Sequence, residues 1–270
     1  MDNSTISFFR TIIYDYYHEK GRDQPWRHTP DPYHIYISEI MLQQTQVERV
    51  LGKYEEFITA FPDFSALANA PLEDVLRVWQ GMGYNRRAKA LKEGAKRVVN
   101  EFNGSLPDDE DILCTFSGIG KATACSIAAF AFNKPVVFIE TNIRRVFIHF
   151  FFHDQEAIQD SDILPLVEKT LDTSNPRQWY YALMDYGSMM KKQIQNPNRR
   201  SASYTRQSRF VGSDRQIRGL VLKKLLETGE MDENELIAMI NEHRERVEKI
   251  IHQMKHEGFI QQKKNTLRIS

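Results

Sequence analysis

Apolar residues recur along most of this chain at helical spacing, not in strand alternation. Residues 7–20 fit an amphipathic helix that ends at Gly21 and the Pro25-Trp26-Arg27 segment. Residues 34–60 read as two helices, one carrying Ile37-Ser-Glu-Ile-Met-Leu-Gln-Gln-Thr45 and one carrying Val50, Leu51, Tyr54 and Phe57. Short helices are predicted over 65–69, 72–80 and 86–102, divided by Phe61-Pro62, Ala70-Pro71 and Gly81-Met82-Gly83. Another starts near Asp108 and leads through Phe116-Ser-Gly-Ile-Gly120 into a small-residue helix over 122–132. Further helices are predicted over 143–152, 162–171 and 176–190, and no series of alternating strands is expected before residue 255. The fold class is all-α.

The pattern changes after residue 190. Residues 191–212 lack apolar periodicity and read as an extended basic linker. Ser213-Asp214 is placed to cap a helix whose apolar face is Ile217, Leu220, Val221 and Leu225. Helices over 232–240 and 243–256 follow, then a hairpin turning at Lys264-Asn265. Helices followed by a hairpin give 213–270 a winged-helix-like order.

Charge adds one local feature. The formal net charge is zero, so bulk charge announces no polyanion partner. Yet Lys191, Lys192, Arg199, Arg200, Arg206, Arg209, Arg215, Arg218, Lys223 and Lys224 face a single acid, Asp214, within 191–224. That block is either a phosphate-facing surface or a solvated linker. The two cysteines, Cys114 and Cys125, exclude a disulfide framework and any four-cysteine metal site, and buried free thiols are expected. No apolar run approaches the roughly 20 residues of a bilayer span, and the N-terminus lacks a secretion pattern, so a cytoplasmic protein is expected.

Phe116-Ser-Gly-Ile-Gly-Lys-Ala-Thr-Ala124 is the first specific signal. Two glycines around one apolar residue permit a tight turn between helices, leaving backbone N–H groups free for a phosphate oxygen. A tight helical corner is the plainer alternative. With Glu140 about twenty residues on, in Val136-Val-Phe-Ile-Glu-Thr-Asn-Ile-Arg-Arg145, the pattern resembles the hairpin of helix-hairpin-helix (HhH-GPD) DNA glycosylases. Pro25-Trp26-Arg27, Ser38-Glu-Ile-Met-Leu-Gln-Gln-Thr-Gln46, Gly81-Met-Gly-Tyr-Asn-Arg-Arg-Ala88 and Ala182-Leu-Met-Asp-Tyr-Gly187 are similar, in order, to motifs of MutY-type adenine glycosylases.

The resemblance covers most of the first 190 residues. It implies a six-helix subdomain over about 24–140, a second subdomain from 1–23 plus 141–190, and a lesion site in the cleft between them. It implies Glu39 as the acid that protonates the departing base, Glu140 as the sugar-facing carboxylate and Asn142 as its polar neighbour. Gln43, Gln44 and Tyr84 would read or wedge the mispair, while Gly118, Gly120, Lys121 and Thr123 of the hairpin, with Arg199 and Arg200, would meet the backbone of duplex DNA. The expected protein is a monomeric, monofunctional, nucleoid-associated glycosylase for adenine opposite guanine or 8-oxoguanine, without membrane contact. The hairpin carbonyls leave room for a monovalent cation.

The chain departs from the family in four ways. Glu140 stands where the family has Asp, which moves a carboxylate by roughly 1.5 Å if nothing compensates, a displacement worth about a hundredfold in rate. Ala122 occupies the position of a tyrosine, or of the lysine used by strand-cleaving relatives. The segment after Tyr186-Gly187 lacks the four cysteines of an iron–sulfur cluster, so none is expected, and its basic residues could take over that loop's electrostatic role. Residues 213–270 are too few for the family's Nudix-like domain. These departures keep two alternatives in play: removal of another base, such as thymine or uracil opposite guanine or a modified purine, and a DNA-binding protein with weakened catalysis.

Overall fold

A computed structural model describes residues 2–206 and 209–270; positions 207 and 208 of the expected linker lie outside the described residues. Along the chain run α1 (Asn3–Lys20), α2 (Pro32–Leu42), α3 (Val47–Ala60), α4 (Phe64–Asn69), α5 (Leu72–Trp79) and α6 (Arg86–Glu101). They are followed by α7 (Glu110–Cys114), α8 (Lys121–Phe132), α9 (Thr141–Phe151), α10 (Asp160–Thr170) and α11 (Pro176–Gln193). The remainder comprises α12 (Asp214–Thr228), β1 (Glu230–Asp232), α13 (Glu233–Met239), α14 (Arg244–His256), β2 (Ile260–Lys263) and β3 (Thr266–Ile269). The mostly helical body with a small strand-bearing end agrees with the periodicity.

Contacts divide the chain into two units. The first holds Met1–Glu39, Pro107–Thr115 and Ile119–Arg206; the second holds Ile40–Leu106, Phe116–Gly118 and Gln207–Ser270. These limits are not the 24 and 140 suggested for the two glycosylase subdomains. In the first unit, α1, α9 and α11 pack together around Phe9. Its ring meets Phe147, Phe150, Phe151 and Trp179 edge-on, with centroids 5.4, 5.1, 5.0 and 5.8 Å away. Helix α8 is buried along most of its length because Ala124, Ala128 and Ala129 let neighbouring elements approach closely.

In the second unit, the apolar stripe Val50, Tyr54, Phe57 of α3 packs on α5, where Phe57 and Trp79 meet at 6.0 Å, and α4 lies on α6. Here too, Ile217, Val221 and Leu225 of α12 join Val247, Ile250, Ile251 and Met254 of α14 over an antiparallel sheet of order β1-β3-β2. Leu267 lies opposite both Met231 and Gln262, and the hairpin turns at Lys264-Asn265 as expected. Three expectations need correction. Leu220 is exposed and does not join the apolar face of α12. Ser213 makes no side-chain cap; its hydroxyl donates to the Phe210 carbonyl instead. Cys125 is buried, but Cys114 is only half-buried.

Candidate active site

Glu39 sits on the penultimate turn of α2, half-buried, so its carboxyl stays reachable while surrounding protein removes most of its water. Burial, assisted by the charge of Glu140, raises its pKa to about 7 against the pull of Ser126 and Arg27. Ser126 Oγ lies 2.6 Å from Glu39 Oε2 and 2.9 Å from the Thr123 carbonyl. A hydroxyl has one proton, and a carbonyl can only accept. Ser126 therefore serves both states of the acid. It accepts from neutral Glu39 while donating to Thr123, or it turns its proton to the ionised carboxylate.

Glu140 is the N-cap of α9. Its Oε1 accepts from the backbone N–H of Asn142 at 2.7 Å and of Ile143 at 2.9 Å, and its Oε2 from Asn142 Nδ2 at 3.2 Å. The longer side chain thus folds back over its own first turn, at the positive end of the helix. Burial pushes its pKa up, opposed by those two N–H groups and by Arg145 and Arg144. Arg145, itself buried, donates to Asn142 Oδ1 at 2.7 Å and to the Gly187 carbonyl at 2.6 Å. Gly187 is required sterically: a Cβ there would stand 2.4 Å from the Asn142 carbonyl oxygen. The Ala182–Gly187 motif and the Glu140–Asn142 motif are therefore one construction.

Asp185 and Arg27 were missed as site residues. Asp185 is buried and accepts from Arg27 at 2.8 Å through both oxygens, and from Arg22 Nε at 2.6 Å. These cations hold its carboxyl below the usual range despite burial. Arg27 in turn lies 4.4 Å over the ring of Tyr181, which stacks on Phe130 at 4.4 Å. Arg27 thereby supplies positive charge near Glu39 from a locked position. The only advance signal was that both residues fall inside recognisable motifs.

The expected mispair-reading residues Gln43 and Tyr84 share a different support. Gln44 and Tyr84 both have positive φ, 52° and 48°. Such conformations persist in side-chain-bearing residues only where the surroundings enforce them. Enforcement comes from Arg87, 7% exposed, whose guanidinium donates to the carbonyls of Ile40, Met41, Gln43, Met82 and Gly83 and to Thr45 Oγ1. One buried cation thus ties the end of α2 to the Gly81–Tyr84 turn. Gln43 Nε2 also donates to the Gly118 carbonyl at 3.1 Å. Gly118 has φ 77°, and a Cβ there would press on Ala90 at 3.1 Å, so the hairpin needs glycine. Gly120 caps α8 with extended backbone.

Other expected contacts are placed less simply. Lys121 is exposed and paired with Asp111 at 2.7 Å, which raises its pKa. Thr123 is half-buried, its carbonyl facing Ser126. Arg199 is exposed, but Arg200 is turned inward. It donates to the carbonyls of Phe152 and His153, of Ile148 at 3.2 Å and of Gln155 at 3.3 Å, binding the loop after α11 to the end of α9. Arg200 is therefore a loop clamp, not an open phosphate ligand. The same loop is fixed by Asn198 Nδ2 donating to the Thr141 carbonyl at 2.8 Å. An iron–sulfur cluster does not fit this donor set: Cys114 and Cys125 lie on α7 and α8, and 190–204 offers amides, hydroxyls and cations but no thiolate.

A glycine hairpin followed by the Glu140 carboxylate at the start of α9 agrees with the resemblance to base-excision proteins of the helix-hairpin-helix class, and comparison with known proteins gives the same class. The family model for HhH-GPD superfamily base excision DNA repair proteins matches residues 37–169. The adenine DNA glycosylase of Mycolicibacterium smegmatis (strain ATCC 700084 / mc(2)155) is 35% identical over 231 residues, covering 79% of this chain and 78% of that protein. That of Buchnera aphidicola subsp. Baizongia pistaciae (strain Bp) is 36% identical over 191 residues, 69% of this chain and 54% of that protein. This chain belongs to the HhH-GPD superfamily, among its MutY-like adenine DNA glycosylase relatives. It spans about half the length of some of them, including 45% of the Mycobacterium tuberculosis (strain ATCC 25618 / H37Rv) protein. A thermostable thymine-DNA glycosylase has a similar structure, with TM-score 0.65 and 27% identity over 72% of this chain and 91% of that one. An endonuclease III bound to DNA shares the fold, with TM-score 0.54 and 18% identity over 70% of this chain and 86% of that one. Among the described residues, no helix is long and apolar enough to cross a membrane.

Proposed function

We propose that this chain is a monofunctional DNA glycosylase that removes adenine from a mispair with guanine or 8-oxoguanine. The observation that carries the reading is the pairing of Glu39, an acid whose pKa burial raises to about 7, with Glu140, whose Oε1 accepts from N–H groups in the first turn of α9. In the flipped nucleotide, neutral Glu39 gives its proton to a nitrogen of the base as the glycosidic C–N bond breaks and its electron pair leaves with the base. Glu140 offsets the positive charge left on the sugar. Water then attacks C1′ and its proton passes to the Glu39 carboxylate, which restores the acid. Ser126 can hydrogen-bond Oε2 of the acid in both states, donating to the carboxylate or accepting from the neutral acid.

Ala122 offers no nucleophile, and the Lys121 amine is held protonated by Asp111, which supports hydrolysis without strand cleavage. Double-stranded DNA is the proposed partner, bound by a monomer, with the hairpin and Arg199 facing its phosphates. A second reading, removal of thymine, is favoured by the likeness to the thymine-DNA glycosylase and by Ala122.

The test is single-turnover base release from duplexes holding adenine opposite 8-oxoguanine, or thymine opposite guanine, followed by alkaline cleavage. Adenine release by the wild type and its loss in Glu39→Gln are expected. Release of thymine alone would replace the first reading with the second. Tight binding with no release from either duplex would leave a DNA-binding protein.

A further inference from the structure

The α12–α14 segment makes a contact with Tyr84 that lies outside the catalytic pair. Arg215, in the first turn of α12, donates from Nη1 to the Tyr84 hydroxyl and lies 5.2 Å from the centre of its ring. Arg87 stands 5.4 Å from the same ring. Tyr84 is half-buried, and its backbone is left-handed at φ 48°. A bulky residue in that conformation, with ring and hydroxyl both engaged by guanidinium groups, has its orientation set from outside its own turn.

The helix that carries Arg215 is held at several points. One turn further along α12, Arg218 donates to Glu257 at 2.5 Å, and Glu257 also accepts from Arg86 Nε at 3.0 Å. Lys89 donates to the Glu257 and Gly258 carbonyls, and Arg77 to the Leu226 carbonyl at 3.0 Å. Those contacts, with the buried face of α12, dock the segment on α5 and α6. The Arg215 contact is additional to them, and it reaches the strained residue at the tip of the turn.

We propose that Arg215 is a positioning residue for mispair recognition: α12 uses its guanidinium to hold the Tyr84 ring poised for insertion beside the mispair. This rests on the proposed function, in which Tyr84 works at the lesion. The small C-terminal segment then shares in substrate selection through Tyr84 without touching the excised base.

The test compares wild type, Arg215→Ala, Arg215→Lys, Tyr84→Phe and the Arg215→Ala/Tyr84→Phe double variant. Single-turnover base release is followed against enzyme concentration, beside affinity for a matched duplex and thermal unfolding. Arg215→Ala is expected to raise the half-saturating concentration on the mispaired duplex about tenfold. Its plateau rate and pH profile should stay as in the wild type, because Glu39 is untouched. Affinity for the matched duplex should fall no more than about twofold, the effect of one lost surface cation. Arg215→Lys, which keeps charge and a donor, should recover part of the loss. In the Tyr84→Phe background, removal of Arg215 should cost much less than it does alone.

Equal losses on mispaired and matched duplexes would overturn the inference and reduce Arg215 to a general DNA or stability contact. So would an unchanged mispair preference in a folded Arg215→Ala, or full additivity with Tyr84→Phe. If Arg215→Ala unfolds, Arg215→Lys and Tyr84→Phe carry the same comparison. A wild type that neither releases a base nor prefers a mispair overturns the proposed function and this inference with it. Release and preference that ignore Arg215 overturn the inference alone.

Discussion

At the scale of single residues, the protonation of Glu39 is the controlling quantity of the proposed reaction. An acid with pKa about 7 must be protonated to act, so base release should decline as pH rises through about 7. Ser126 favours the ionised form by donating to it, so Ser126→Ala removes a charge-assisted hydrogen bond and moves the acid's pKa further up. The alkaline limb of the pH–rate profile is expected to move up by about half a unit to one unit, which corresponds to a hydrogen bond worth about 1 kcal/mol. A limb that stays in place would mean that Ser126 does not face the acid during reaction. Glu39 and Glu140 were legible in the sequence because each lies in a motif whose neighbours are equally diagnostic. Ser126 was not, since a serine within Ala124-Cys-Ser-Ile-Ala128 reads as one more small core residue until Glu39 is placed against it.

At the scale of elements, two arginines connect segments that sequence leaves separate. Arg87→Met keeps the apolar stem but abandons five carbonyls and the Thr45 hydroxyl. Thermal or denaturant unfolding should show a loss of at least about 3 kcal/mol, the range for breaking a buried polar network. Arg200→Ala is expected to cost about 2–4 kcal/mol by freeing the end of α9, whereas Arg199→Ala should change stability by less than about 0.5 kcal/mol. The same loss from both would contradict the inward placement of Arg200. Helix positions were readable because the apolar stripes are long, whereas β1, with only three residues, is too short for its alternation around Met231 to stand out. Arg200 was read as open to solvent because a basic run records charge but not which carbonyls stand opposite. The Arg27–Asp185 pair, 158 residues apart, escaped for the same reason.

At the scale of the whole molecule, 213–270 belongs to the same unit as 40–106, and is not a pendant module. Trypsin cleavage at exposed Arg206 or Arg209 should leave the two fragments together on gel filtration in moderate salt; separation would show that the contacts around Glu257 and α12 do not hold the segment. Those contacts belong to a wider habit. Arg22 and Arg27 close on Asp185, Arg86 and Arg218 on Glu257, Arg246 on Asp214, and Arg87 and Arg200 on backbone carbonyls. With a formal net charge of zero and so many guanidinium groups engaged by carboxylates or carbonyls, little field remains to draw the protein to a polyanion from a distance. Its arrival at duplex should depend weakly on ionic strength, as stopped-flow association between about 50 and 200 mM salt would show. Search would then proceed by many brief landings with short dwell on intact duplex, leaving local fit at a lesion, not electrostatic capture, to decide where the protein stops.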